Sequence, residues 1–123
     1  MKRILVIDDS LVICNLLKEF LFEDGYDVQF TNDPFEGTIM ALEEEWSMII
    51  CDTHMPGKNG YEVYSDIATK KPNLPFLITD SLPEDLEFVQ NRVKGNYHYL
   101  KKPFELDQVR QIMESCLKTV NTK

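Results

Sequence analysis

Five residues of this chain have types and placements from which phosphate or metal chemistry could be built. Asp8 and Asp9 directly follow the apolar run Ile4–Ile7 in "ILVIDDS". Asp52 ends a second apolar run, Met48 to Cys51, and enters the turn-rich stretch "CDTHMPGKNG". Thr79 closes "FLIT", and Lys102 lies in "YLKKPF". Singly these are ordinary. An acidic pair suits a helix N-terminus, and Asp52 beside Met55-Pro56-Gly57 suits a turn. Gathered together, three carboxylates repel, and at least one keeps its proton. A hard divalent cation with oxygen ligands relieves that repulsion. Few protein ligands and several retained waters suit Mg²⁺ better than a caged Ca²⁺. Asp8, Asp9, Asp52, Mg²⁺ and Lys102 sum to zero charge. Such a site can take a dianionic phosphoryl group through the cation, the ammonium and the Thr79 hydroxyl.

The elements around these residues decide whether they meet. Arg3–Ile7 reads as a buried strand. Ser10 is placed to cap a helix to about Glu23, with Leu11, Cys14, Leu17 and Leu21 on one face and Asp24-Gly25 at its stop. Tyr26–Thr31 reads as a second strand. Asp33, Pro34 and Glu36 form a helix start, and that helix runs to about Glu45. Ser47–Cys51 is a third strand, Gly60–Thr69 a third helix and Leu74–Thr79 a fourth strand. A fourth helix is expected from Pro83 to Gly95, and a short strand from Tyr97 to Leu100. Pro103 starts the last helix, about 104–118, leaving a tail, 119–123, expected to fray.

Strand and helix thus alternate five times. Strands 1, 3 and 4 are nearly continuous apolar runs, as strands covered on both faces are. Alternation of this kind predicts a parallel sheet with right-handed crossovers. The expectation is one α/β domain over 1–123, a flavodoxin-like, doubly wound five-stranded sheet in the order 2-1-3-4-5 with five helices. Ligands bind such sheets where the strand order reverses, here between strands 1 and 3. Asp8, Asp9 and Asp52 end those two strands, and Thr79 and Lys102 share the same edge.

Composition narrows the function. The chain has 123 residues, 43% of them hydrophobic, enough for one domain with a real core. No apolar stretch approaches the roughly 18 residues of a membrane span. The N-terminal run stops at Asp8, short of the about 7–15 residues of a signal peptide's apolar region. Cys14, Cys51 and Cys116 form no CxxC pair and sit among apolar neighbours, so they read as small core residues of a reducing, cytoplasmic compartment. The net charge of −8 argues against direct nucleic-acid binding by this chain.

"ILVIDDS", "CDTHMPGKNG", "FLIT" and "YLKKPF" together resemble the receiver domain of two-component response regulators, over essentially the whole chain. The resemblance implies that Asp52 is the phosphoacceptor, taking a phosphoryl group from a phosphohistidine of a sensor histidine kinase or histidine phosphotransfer protein. It implies that Asp9, Asp52 and the backbone carbonyl of His54 hold Mg²⁺, with Asp8 acting mainly through a metal-bound water. Lys102 would contact the phosphoryl oxygens, Thr79 would bond the group after transfer, and Tyr99 would change rotamer with it. The Lys102–Pro103 bond would be cis. The His54 side chain reads as an exposed loop group. Asp80 and Asn96 depart from the family pattern, and the segment ending at Thr79 is one residue short. Spacing therefore leaves Thr79, Asp80 and Ser81 open as the switch position, with Thr79 preferred because it ends the apolar run.

Such a domain is a signalling protein rather than a turnover enzyme. Its output would pass through the face of helix 4, strand 5 and helix 5, to a second copy or an effector. Other classes fit less well. A dehalogenase-type phosphohydrolase needs D-x-D where Asp8-Asp9-Ser10 stands. A flavin domain needs a glycine-, serine- or threonine-rich loop after strand 1, where no glycine occurs.

Overall fold

The computed structural model describes residues 1–80 and 95–117. The strands are β1 (Arg3–Ile7), β2 (Asp27–Thr31), β3 (Met48–Asp52), β4 (Phe76–Asp80) and β5 (His98–Lys101). The helices among the described residues are α1 (Leu11–Glu23), α2 (Pro34–Glu43), α3 (Gly60–Lys70) and α4 (Leu106–Leu117). All pairings are parallel and the order is β2-β1-β3-β4-β5, as expected. The helix expected from Pro83, the switch alternative Ser81 and the tail lie outside the described residues.

The pleat sorts the strand side chains into two cores. Leu5, Ile7, Ile49, Cys51, Phe76 and Ile78 pack on one face with Val63, Tyr64 and Ile67 of α3. Ile4, Val6, Met48, Ile50 and Leu77 pack on the other with Cys14, Leu17 and Leu21 of α1 and Val109 and Met113 of α4. Every residue of β3 and of β4 is buried, which is why both strands read as continuous apolar runs.

Local chemistry sets the ends. The Ser10 hydroxyl accepts from the Ile13 N–H at 3.3 Å and caps α1. Asp33 caps α2 through the Phe35 N–H, 2.9 Å. Asn59 and Glu62 form a reciprocal capping box at α3. The last helix begins at Leu106 rather than at Pro103, with the Gln108 amide oxygen accepting from the Glu105 N–H beneath its first turn. The Lys102–Pro103 peptide is cis.

Strands 3, 4 and 5 each end one residue later than their apolar runs suggest. β3 includes Asp52, β4 includes Asp80 and β5 includes Lys101. Backbone pairing carries the ladder into polar residues, because strand bonds use main-chain groups whatever the side chain. Of the cysteines, Cys14 and Cys51 are buried as expected, whereas Cys116 is only partly so, with its Sγ 3.1 Å from His98 Nε2. Burial pushes the Cys14 thiol up to about 12 and the Cys51 thiol well above its usual range.

Candidate functional site

The sheet register builds the site. Ile7 pairs with Cys51, so the residues that follow, Asp8 and Asp52, leave neighbouring strands at one level. Asp52 pairs with Thr79 across β3 and β4, and Asp80 with Lys101 across β4 and β5. Asp8, Asp9 and Asp52 each offer a carboxylate oxygen within 4.8 Å of the others. Asp8 and Asp52 are buried, and Asp9 is exposed. Lys102 closes the cluster, its Nζ 2.8 Å from Asp8 Oδ2 and 3.3 Å from Asp52 Oδ1.

The oxygens are not equivalent. Asp8 Oδ1 accepts the Ser10 N–H at 2.9 Å and its Oδ2 accepts from Lys102, so both are engaged. Asp52 Oδ1 is buried and, among the described residues, accepts no hydrogen bond beyond its ion-pair contact with Lys102. Burial first, then the Asp8 charge, pushes the Asp52 carboxyl up to about 6, against the opposing pull of Lys102. At Lys102 burial works against the ammonium, but the bond to Asp8 and the charge of Asp52 outweigh it, and its pKa rises. A cluster of hard oxygens with one under-coordinated buried carboxylate fits a divalent cation of the Mg²⁺ type.

Gly60, at the first position of α3, lets the loop return onto β3. A Cβ there would meet the backbone of Asp52 and Thr53, 2.9 Å from the Asp52 carbonyl carbon and the Thr53 Cα. The Gly60 N–H donates to the Thr53 carbonyl at 2.9 Å. Glycine is therefore required by close approach, not by a positive φ.

Thr79 and Tyr99, expected to work together, are separated by the pleat. Thr79 is buried and shares the sheet face of Leu77, its cross-strand partner Asp52 sharing that of Ile50. Asp80 shares the opposite face with Ile78, and there its Oδ2 accepts from the Tyr99 hydroxyl at 3.2 Å. Asp80 Oδ1 accepts from the Thr53 hydroxyl at 3.1 Å and lies 3.1 Å from His54 Nε2. The His54 side chain is thus packed on Asp80 and only partly exposed, not a free-standing loop group. Sequence reasoning did not find this Thr53–His54–Asp80–Tyr99 constellation. Its one visible signal was a charged residue next to the end of an apolar run.

A family model described as "Response regulator receiver domain" matches residues 4–114. Among curated proteins, the DNA-binding transcriptional regulator NtrC of Bradyrhizobium sp. (strain RP501 Parasponia) is 29% identical over 114 residues, covering 93% of this chain and 24% of the relative. The transcriptional regulatory protein ZraR of Klebsiella oxytoca is 28% identical over 114 residues, covering 93% and 26%. The chain spans about a quarter of the length of these relatives. Among solved structures, response regulator protein TrrA from Thermotoga maritima, in complex with Mg(2+)-BeF, superposes with a TM-score of 0.83 at 28% identity, covering 95% of this chain and all of that one. A two-component response regulator from Clostridium difficile gives 0.84 at 20% identity, covering 99% and 100%, a likeness of fold.

Proposed function

This chain belongs to the response regulator receiver domain family, and from that premise we propose that Asp52 accepts a phosphoryl group from a phosphohistidine of a sensor histidine kinase or a histidine phosphotransfer protein. The observation that carries the reading is the convergence of Asp8, Asp9, Asp52 and Lys102 on one strand edge. An ionised Asp52 oxygen attacks phosphorus in line. An O–P bond forms as the P–N bond to the donor imidazole breaks, and the departing nitrogen takes a proton from water. The product is an acyl phosphate on Asp52 and a neutral histidine.

Lys102 meets the charge that develops on the transferred oxygens, with no need to reorganise. Asp9, Asp52 and the His54 carbonyl would hold Mg²⁺, while Asp8, with both oxygens engaged, fixes Lys102 and would act on the ion through a water. Bound Mg²⁺ supplies Lewis-acid stabilisation of the phosphoryl oxygens and offsets the carboxylate repulsion. The relative solved with Mg(2+)-BeF supports this ion assignment. Thr79, the cross-strand partner of Asp52, is the hydroxyl on its sheet face. Asp80, bonded to Tyr99, is the residue through which the β5 surface is coupled.

A donor must reach Asp52 past exposed apolar groups. Leu11 and Val12 of α1 are 54% and 75% exposed, and a shallow cavity of about 310 Å³ is lined by Ile13, Lys102, Pro103 and Phe104. Apolar surface beside a charged crevice suits a protein donor. Output passes through the β5–α4 side, where Tyr99 and Lys101 are exposed, to a second copy or an effector, without membrane or direct nucleic-acid contact by this domain. No described helix is long and apolar enough to cross a membrane. The free thiols of Cys14, Cys51 and Cys116 support a reducing, cytoplasmic compartment. In this reading the chain is a signalling domain that catalyses its own modification, not a turnover enzyme. Incubation with acetyl phosphate and Mg²⁺ tests the reading. An acid-stable but hydroxylamine-labile phosphate that is lost on chelation supports it, and no incorporation at saturating donor and Mg²⁺ refutes it.

A further inference from the structure

Asp80 is a buried carboxylate, 5% exposed, at the end of β4. Its position does not require a charge for pairing, because its backbone already completes the ladder: the Asp80 carbonyl accepts the Lys102 N–H at 2.7 Å. The side chain has separate partners on two elements, the loop after β3 and strand β5. Oδ1 meets the Thr53 hydroxyl and His54 Nε2, each at 3.1 Å, and Oδ2 meets the Tyr99 hydroxyl at 3.2 Å. Thr53 and His54 are the two residues that follow Asp52. A solvated strand-end acid, or one directed away to cap a following helix, would not show this geometry.

We propose that Asp80 is a positioning residue for the acceptor loop. Its carboxylate clasps Thr53 and His54, and so fixes the backbone that carries the His54 carbonyl beside Asp52. The proposal rests on the reading of Asp52 and the His54 carbonyl as the Mg²⁺ site. Two main-chain bonds already tie Thr53 down, its N–H to the Thr79 carbonyl and its carbonyl to the Gly60 N–H, both 2.9 Å. His54 follows this pair, and its side chain and that of Thr53 both contact Asp80, contacts that in the proposal steer the direction in which the chain leaves. Buried groups that orient ligands in this way act at one remove from the ion. The clasp also joins the loop to Tyr99, so a displacement of His54 is felt by a partly exposed residue of β5.

Charge and geometry are separable here. In Asp80→Asn an amide oxygen can stand where Oδ1 accepts from Thr53, and the amide nitrogen can donate to the Tyr99 oxygen. Asp80→Ala removes both. The test compares wild type, Asp80→Asn, Asp80→Ala and Thr53→Val in two measurements. One is amide hydrogen exchange at Thr53 in the metal-free protein, and the other is Mg²⁺ binding by calorimetry. Asp80→Ala should speed Thr53 exchange by about 10-fold and weaken Mg²⁺ by about 10–100-fold. Asp80→Asn should stay within about threefold of wild type in both, and Thr53→Val should speed exchange even where Asp80→Ala folds poorly. Unchanged exchange in Thr53→Val and Asp80→Ala overturns the proposal. So does an Asp80→Asn protein as impaired as Asp80→Ala, which would assign the effect to charge. Failure of wild type to bind Mg²⁺ would instead refute the metal reading, while the exchange data still decide whether Asp80 positions the loop.

Discussion

Lys102 Nζ lies 2.8 Å from Asp8 Oδ2, joining residues 94 positions apart in the chain. The contact spans from the end of β1 to the end of β5, across the strand that delivers Asp52. It places a fixed cation where two buried carboxylates would otherwise face each other, and it leaves Asp9 as the exposed member of the acidic set.

Lys102→Met should separate metal binding from transfer. Removing an ammonium from beside the carboxylates removes a competitor for Mg²⁺, so affinity for the ion should rise. Phosphoryl acceptance should fall by about 100- to 1,000-fold, the usual cost of losing one preorganised charge stabiliser. Calorimetry and the rate of labelling by acetyl phosphate check the two halves.

The raised Asp52 carboxyl predicts a pH dependence of stability. The folded chain keeps this proton up to about pH 6, whereas an unfolded carboxyl releases it near pH 4. Between those values the folded state binds more protons, so this group's contribution is present below about pH 4 and is lost as pH rises towards 6. In chelator, the stability difference between Asp52→Asn and wild type should therefore grow across that window, in favour of Asn. Mg²⁺ should stabilise wild type most above pH 6. Denaturant titrations at several pH values, with and without the ion, read both effects.

Gly60→Ala should cost about 1–3 kcal/mol of stability, because the new Cβ meets backbone rather than a side chain that could turn aside. The displaced backbone belongs to Asp52 and Thr53, so Mg²⁺ affinity should fall with it. A variant of unchanged melting temperature and unchanged Mg²⁺ affinity would contradict the close approach.

Trp46 should report poorly on the site. It is buried before β3 begins, its indole N–H donating to the Met40 carbonyl at 2.9 Å and the Arg3 guanidinium 4.2 Å from its ring centroid. Six residues of chain at roughly 3.3 Å each put Asp52 on the order of 20 Å away. Adding Mg²⁺ should leave its fluorescence within a few per cent, and a large quench would show that the two ends are coupled.

The fold was legible because both sheet faces are covered. Burial turns β1, β3 and β4 into apolar runs whose tips name Asp8 and Asp52, while the caps at Ser10 and Asp33 mark two helix starts. The switch region was less legible for the same reason. A reading that ends strands at the last apolar residue stops at Thr79, whereas the ladder continues to Asp80 through main-chain bonds that no side chain announces. That one residue changes the face, and so decides that Tyr99 meets Asp80. The packing of His54 on Asp80 is a contact 26 positions apart, set by the β3–β4 register and invisible to local pattern. Lys102 was found from its strand end, but its direct bond to Asp8 was not.

The central claim is that Asp52 is the phosphoacceptor, and mapping the modified residue tests it most directly. Wild type and Asp52→Asn are each incubated with acetyl phosphate and Mg²⁺, reduced with borohydride to convert an acyl phosphate to an alcohol, and digested for mass spectrometry. The account predicts reduction at position 52 in wild type, and no incorporation in Asp52→Asn, which keeps its size but loses the nucleophilic oxygen. Undiminished, hydroxylamine-labile phosphate on Asp52→Asn, or reduction mapped to Asp8, Asp9 or Asp80 in wild type, would contradict it.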